Sequence, residues 1–218
     1  MMVKAKICGN QTRKDLKIAA GADAVGFIVA TPESDRNLQP ETAARLGKEI
    51  PPFTSTVLVT TKKSPQTLQK LTVKVKPDYL QLHSELSPER IAKIAELIPE
   101  FTGLLALLSV KGDREELNKK ARELANLPID AVLLDSKVDG RAGGTGWVHD
   151  WEVSRDIRDA LHPFPVILAG GLNPGNVGEA IRKVRPYGVD VATGVEENGK
   201  RSERKVERFL QEVNKCEV

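Results

Sequence analysis

The stretch Ala131-Val132-Leu133-Leu134-Asp135-Ser136 decides the fold of this chain. Four consecutive apolar residues fit a parallel strand covered on both faces, because such a strand has no solvent side on which polar residues could alternate. The run is taken as a strand over Ala131–Asp135, and seven others flank it: Lys4–Cys8, Ala24–Val29, Thr56–Thr60, Tyr79–Leu82, Gly103–Leu108, Val166–Ala169 and Val189–Ala192. They recur about every 20–30 residues, which is the spacing of βα units and too wide for hairpins. Helical signals fill the gaps. Pro40 begins a helix that reaches about Ile50, and Ser64-Pro65, Ser87-Pro88 and Asn173-Pro174 each read as an N-cap with proline at N1. Leu16, Ala19 and Ala20, then Ile91, Ile94 and Ala95, then Val177, Ala180, Ile181 and Val184, have the spacing of one apolar helix face. A last helix runs from about Ser202 to Lys215, with Val206, Phe209, Leu210 and Val213 facing inward. Eight strands alternating with eight helices imply an α/β protein, a single parallel (β/α)8 TIM barrel over residues 1–218. An open doubly wound sheet would also alternate, but its Gly-x-Gly-x-x-Gly turn is missing after the first strand.

Composition narrows the function classes. A chain of 218 residues, 40 % hydrophobic and 29 % charged, buries roughly 70 % of its unfolded surface and needs no disulfide or structural metal. The net charge of +3 is spread without long runs of one sign, and aromatic content is 4 %, so neither a nucleic-acid arm nor a base-stacking platform is expected. No apolar run approaches the roughly 18 residues of a membrane span. Met1-Met2-Val3-Lys4 lacks the apolar core of a signal peptide, so a cytoplasmic protein is expected. Cys8 and Cys216 are expected to be free thiols, and the cysteines and three histidines make no zinc-type spacing, so no metal is expected. Nothing in the sequence identifies a protein partner or an oligomeric state.

Barrels of this type work at the C-terminal ends of their strands. Strand one ends in Cys8, strand four in His83 and strand six in Asp135, while Arg36 sits in the loop after strand two. A thiol, an imidazole, a carboxylate and a guanidinium would thus share one mouth. Each also has a structural reading: a small buried hydrophobe for Cys8, a turn cap for Asp135, a surface pair with Glu33 or Asp35 for Arg36, and a supporting donor for His83. Their joint placement favours function. The longest irregular stretch, Ser136–Trp147, follows strand six and reads as an active-site loop. Gly170-Gly171 after strand seven and Thr193-Gly194 after strand eight stand where barrels bind phosphate, since amides without a neighbouring Cβ can approach its oxygens. The alternative is a pair of tight turns with positive φ. A phosphorylated small molecule is the expected substrate.

These residues resemble the phosphoribosylanthranilate isomerases. The resemblance covers nearly the whole chain in order. It rests on Lys6-Ile7-Cys8-Gly9, Gly26-Phe27-Ile28-Val29 followed by Arg36, Leu80-Gln81-Leu82-His83, Leu133-Leu134-Asp135-Ser136 with Gly143-Gly144-Thr145-Gly146, Ala169-Gly170-Gly171-Leu172-Asn173-Pro174-Gly175-Asn176-Val177, and Gly188-Val189-Asp190-Val191-Ala192-Thr193-Gly194-Val195-Glu196. The chain departs from the family pattern at Glu33-Ser34-Asp35-Arg36, at Ser84-Glu85, at Ala192-Thr193 and at the end of strand five.

The resemblance implies a cofactor-free Amadori rearrangement of a phosphosugar, with Asp135 as general acid and Cys8 as general base. It implies that Arg36 receives the anthranilate carboxylate, that His83 supports the site, and that the glycine turns hold the phosphate. A thiol base needs a pKa brought below its usual ~8.5; Lys6 shares a strand face with Cys8 one step deeper in the barrel, and its reach is left to geometry. Two alternatives stand beside this reading: another phosphate-binding barrel enzyme such as indole-glycerol-phosphate synthase, and a catalytically silent phosphosugar-binding barrel.

Overall fold

Eight parallel strands close on themselves in a computed structural model that describes residues 2–136 and 150–216. The strands are β1 (Lys4–Ile7), β2 (Ala24–Val29), β3 (Ser55–Thr60), β4 (Tyr79–Leu82), β5 (Gly103–Ser109), β6 (Ala131–Asp135), β7 (Val166–Leu168) and β8 (Gly188–Val191). Closure is made by β1, which pairs with β2 (Lys6↔Ala24) on one side and with β8 (Lys6↔Asp190) on the other. Helices α1 (Arg13–Ile18), α2 (Pro40–Gly47), α3 (Pro65–Val75), α4 (Pro88–Leu97), α5 (Arg114–Ala125), α6 (Trp151–Leu161), α7 (Val177–Val184) and α8 (Glu203–Asn214) follow the strands in turn. The loop expected over Ser136–Trp147, with Gly143-Gly144-Thr145-Gly146, lies outside the described residues beyond Ser136.

Strand alternation explains both the core and the site. On β5, Leu104, Ala106 and Leu108 join the layer between strands and helices, while Leu105 and Leu107 fill the barrel interior. On β6, Val132 and Leu134 face the helices, and Ala131 and Leu133 face inward. The period of two therefore turns Asp135 inward at the mouth. The same parity sends Gln81 and His83 inward from β4, where Leu80 and Leu82 face the helices, and Lys6 and Cys8 inward from β1, where Ala5 and Ile7 do.

The helix signals hold with small corrections. Ser64 caps α3 through the Thr67 amide, with Pro65 at N1. Ser87 and Ser202 stand at N-caps without a side-chain capping bond. Pro40 starts α2, which ends at Gly47 and not near Ile50. Ala20 is exposed, one step past the buried stripe of Leu16 and Ala19. Asn173-Pro174 does not start a helix. Asn173 accepts from the Gly175 amide, Asn176 accepts from the Asn173 amide, and α7 begins at Val177. The polar turn chemistry of Asn173 wins over proline at N1. On α8, Val206, Phe209 and Val213 are buried against the barrel, and both cysteines are buried free thiols.

Candidate active site

The strand ends build one pocket at the C-terminal mouth. Cys8, Arg36, His83, Asp135, Gly170, Gly171, Thr193 and Gly194, all named from the sequence, line it together. Around the barrel the strand order runs β1, β8, β7, β6. Cys8 and Asp135 thus stand three strands apart, and the two glycine turns lie between them on the intervening strands.

Cys8 is held by its neighbours at the end of β1. Its amide donates to Val191 O at 2.8 Å, and the buried Asn10 side chain ties the following turn to Ile7 O and Gly26 O. Below it, Lys6 Nζ meets Asp190 Oδ2 at 2.9 Å in a buried ion pair, and the same ammonium interacts with the Cys8 thiol. Burial opposes the Lys6 charge, but Asp190 and Cys8 together hold the ammonium above its ordinary range. The thiol itself does not shift as expected. Burial pushes Cys8 up, and Lys6 and Arg201 only partly pull it back against Asp190.

Asp135 ends β6, with Oδ2 3.9 Å from His83 Nε2. Gln81 Nε2 lies 3.3 Å from His83 Nδ1.

Arg36 is placed by a compact loop. Asn37-Leu38 form a two-residue strand on β2, Asn37 Oδ1 accepts from the Thr31 amide at 2.8 Å, and the Asn37 amide donates to Ser34 O. The guanidinium pairs with Glu196, in place of the surface neighbours Glu33 and Asp35 weighed above. That hydrogen bond, against the cost of burial, raises the Arg36 pKa above its usual value. Glu196 belongs to a hairpin, Glu196–Glu197 against Lys200–Arg201, whose turn residues Asn198 and Gly199 both have positive φ. From the same hairpin Arg201 donates to Cys8 O and Ala192 O. Glu196, Arg201, Asp190 and Asn10 did not emerge as site residues from the sequence. The Asn198-Gly199 pair is the signal that finds the hairpin, since Asn-Gly is favoured where both central residues need φ > 0.

The tight-turn reading of the glycines holds at the first pair. Gly170 and Gly171 have φ of 82° and 67°. Gly194 sits in the middle of the short 3-10 turn Thr193–Val195 without positive φ, but a Cβ there would run into Leu172 O. The backbones after β7 and β8 touch at this point, and only glycine permits the approach.

The fold and the pocket define an enzyme of the (β/α)8-barrel class, with its chemistry at the C-terminal mouth. Comparison with known proteins makes this particular. Residues 5–212 match the family model of N-(5'phosphoribosyl)anthranilate (PRA) isomerase, and the chain belongs to that family. The N-(5'-phosphoribosyl)anthranilate isomerase of Methanosarcina acetivorans is 43 % identical to it, across 96 % of this chain and 92 % of the relative. The crystal structure of phosphoribosyl anthranilate isomerase from Thermotoga maritima is similar, with TM-score 0.85, 34 % identity, and coverage of 99 % of this chain and 100 % of that one. A phosphoribosyl anthranilate isomerase in complex with reduced 1-(o-carboxyphenylamino)-1-deoxyribulose 5-phosphate matches with TM-score 0.81 and 33 % identity, across 99 % of this chain and 100 % of the other. Among the described residues, no helix is long and apolar enough to cross a membrane.

Proposed function

We propose that Cys8 and Asp135 divide the proton transfers of the family's reaction, conversion of N-(5'-phosphoribosyl)anthranilate to 1-(2-carboxyphenylamino)-1-deoxyribulose 5-phosphate in tryptophan biosynthesis. The observation that carries this reading is the gathering of these groups at one mouth. The glycine turns after β7 and β8 lie between Asp135 on β6 and Cys8 on β1, and Arg36 lies past Cys8 after β2. The substrate presents a group for each of them: a phosphate at C5, a ring oxygen and C2 to be acted on, and an aromatic carboxylate beyond C1. In this reading the amides of Gly171 and Gly194 take the phosphate, with Gly170 and Thr193 shaping the turns, and Arg36 takes the carboxylate.

Protonated Asp135 gives its proton to the furanose oxygen as the C1–O bond breaks, and the anilino nitrogen lone pair forms C=N. The Cys8 thiolate then removes the C2 proton. The C–H electrons form C1=C2 while the C=N π electrons return to nitrogen, giving an enolamine that tautomerises to the ketone. Burial holds resting Cys8 as a thiol, so its ionisation depends on cations close by. Lys6 and Arg201 are in place, and the iminium charge formed on ring opening adds to them just when a base is needed. His83, beside Asp135, supports the acid.

Among the alternatives, indole-glycerol-phosphate synthase is disfavoured by the family match, and a silent barrel by the presence of both Cys8 and Asp135 in one pocket. This reading puts the reaction in the cytoplasm, in keeping with the biosynthetic family to which the chain belongs. The direct test is the decay of anthranilate-type fluorescence when freshly made phosphoribosylanthranilate meets the purified protein. Rapid decay is expected with the wild type; decay at the wild-type rate in Cys8→Ser would remove the thiol from the mechanism.

A further inference from the structure

Arg36 Nε and Nη2 donate to separate oxygens of Glu196, at 2.7 and 2.6 Å, and both side chains are largely shielded from solvent. A guanidinium carries five N–H groups, arranged so that carboxylates can meet it along the Nε/Nη2 side or end-on at Nη1/Nη2. Glu196 takes the side. Three donors remain, including the parallel end-on pair, and that pair can hold a second carboxylate in the same plane.

The surroundings fix this geometry. Gly9, next to Cys8, has φ +78°, and a Cβ there would lie 2.5 Å from Arg36 Cδ, so the arginine stem crosses the end of β1 in direct contact. Glu196 is paired across the hairpin with Arg201, and directly paired residues leave a hairpin on one face. Arg201 fastens that face to Cys8 O and Ala192 O, and Lys205 Nζ donates to Glu196 O at 2.6 Å. The hairpin is thus tied to the proposed base strand and aims Glu196 at Arg36 from there.

We propose that Glu196 is a positioning residue that sets the affinity for the substrate's aromatic carboxylate, by holding Arg36 along one edge so that its end-on edge receives the substrate. This rests on the reading in which Arg36 binds that carboxylate.

The test uses calorimetry with two ligands, reduced 1-(2-carboxyphenylamino)-1-deoxyribulose 5-phosphate and its counterpart without the carboxylate, together with steady-state kinetics. Glu196→Gln keeps the size of the side chain but cannot accept two guanidinium bonds. It is expected to weaken the carboxylated ligand roughly 10- to 100-fold, the scale of a charge-assisted hydrogen bond. The ligand without the carboxylate should change less than threefold. KM should rise in parallel while kcat falls far less. Glu197→Gln, on the exposed neighbour in the same hairpin, should behave as wild type. Arg36→Met should abolish the difference between the two ligands. If Arg36→Met does so and Glu196→Gln leaves the carboxylated ligand unaffected, Arg36 binds the carboxylate without help from Glu196 and the inference falls alone. If Arg36→Met leaves the difference intact, the carboxylate reading of Arg36 falls first and takes the inference with it. Tighter binding in Glu196→Gln would make Glu196 a competing anion and overturn the proposal outright.

Discussion

At the N-terminal end of the barrel, Asp23, Asp78 and Asp130 turn their carboxylates onto strand amides. Asp23, before β2, accepts from Ala5 on β1; Asp78, before β4, accepts from Thr56 on β3; Asp130, before β6, accepts from Leu104 on β5. At the C-terminal end, acidic groups face charged or titratable side chains: Asp190 meets Lys6, Glu196 meets Arg36, and Asp135 faces His83. One carboxylate chemistry thus serves two purposes. Below, it accepts from a backbone amide of β1, β3 and β5 and so joins neighbouring strands, with Asp23 also pairing with Lys4. Above, it meets the ionisable side chains Lys6, Arg36 and His83. The lesson is that a carboxylate's place along a parallel strand tells more about its role than its residue type does.

Breaking the upper end should cost activity and spare the fold. Cys8→Ser and Asp135→Asn are nearly isosteric, and each is expected to lower kcat by about 10²–10⁴-fold or more, the usual contribution of a general acid or base. Thermal melts should stay near wild type. The two should fail differently: with substrate deuterated at C2, the Cys8 variant should show a primary isotope effect, while the Asp135 variant should be limited by ring opening and show little.

A smaller effect is expected where the two turns touch. Gly194→Ala places a methyl against Leu172 O. Overpacking of this kind costs roughly 1–3 kcal/mol. Spent on spreading the turns, it should raise KM, and the inhibition constant of inorganic phosphate, by roughly 5- to 100-fold. A rise in KM without any change for phosphate would put the phosphate site elsewhere.

The buried pair beneath the thiol sharpens the comparison further. Comparing the wild type with Lys6→Met/Asp190→Asn removes the pair whole and leaves neither a bare buried carboxylate nor a bare buried ammonium. Lys6 favours the thiolate, so its loss should raise the Cys8 pKa further. The rising limb of kcat/KM should move to higher pH, and alkylation of Cys8 by iodoacetamide at a fixed pH below that limb should slow. In both proteins the thiol reacts more readily as pH rises. Equal alkylation profiles would show that the pair does not govern the thiol.

The smallest effect on catalysis belongs to the lower end. Asp130→Ala removes the acceptor of the Leu104 amide and should cost roughly 1–3 kcal/mol of stability, a drop of about 3–10 °C in Tm. The kcat/KM of the folded variant should stay within about twofold of wild type. A large loss of activity at unchanged Tm would break the division between the two ends.

Much of this was legible in one dimension. A strand buried on both faces writes itself as an apolar run, which is why Ala131–Asp135 was read to the residue and the others to within one residue at either end. The strand-end rule then brought Cys8, Arg36, His83, Asp135 and the four turn residues to one pocket. What stayed hidden depends on register and closure. Lys6 and Asp190 meet only because β1 pairs with β8 in a particular register, and neither residue signals the other. Burial, which turns the Cys8 pKa upward, likewise depends on what packs around the thiol. The Asn173 turn was misread because its competing hydrogen bonds to Gly175 and Asn176 outweigh the proline signal. The Asn198-Gly199 hairpin was readable and carries two residues that frame the site.

The long reach of these contacts has a consequence for how the pocket comes into being. Arg36 and Glu196 are 160 residues apart, and Arg201 and Cys8 are 193 apart. Contacts of such separation close the largest loops in the chain, which makes them slow to form and dependent on everything between. During synthesis the thiol emerges long before its hairpin clasp, so a ribosome-held chain halted before Glu196 would contain both proposed proton-transfer groups and still lack the clasp on Arg36. Activity should therefore appear late and abruptly as nascent chains lengthen, well after most of the helices and strands have been made.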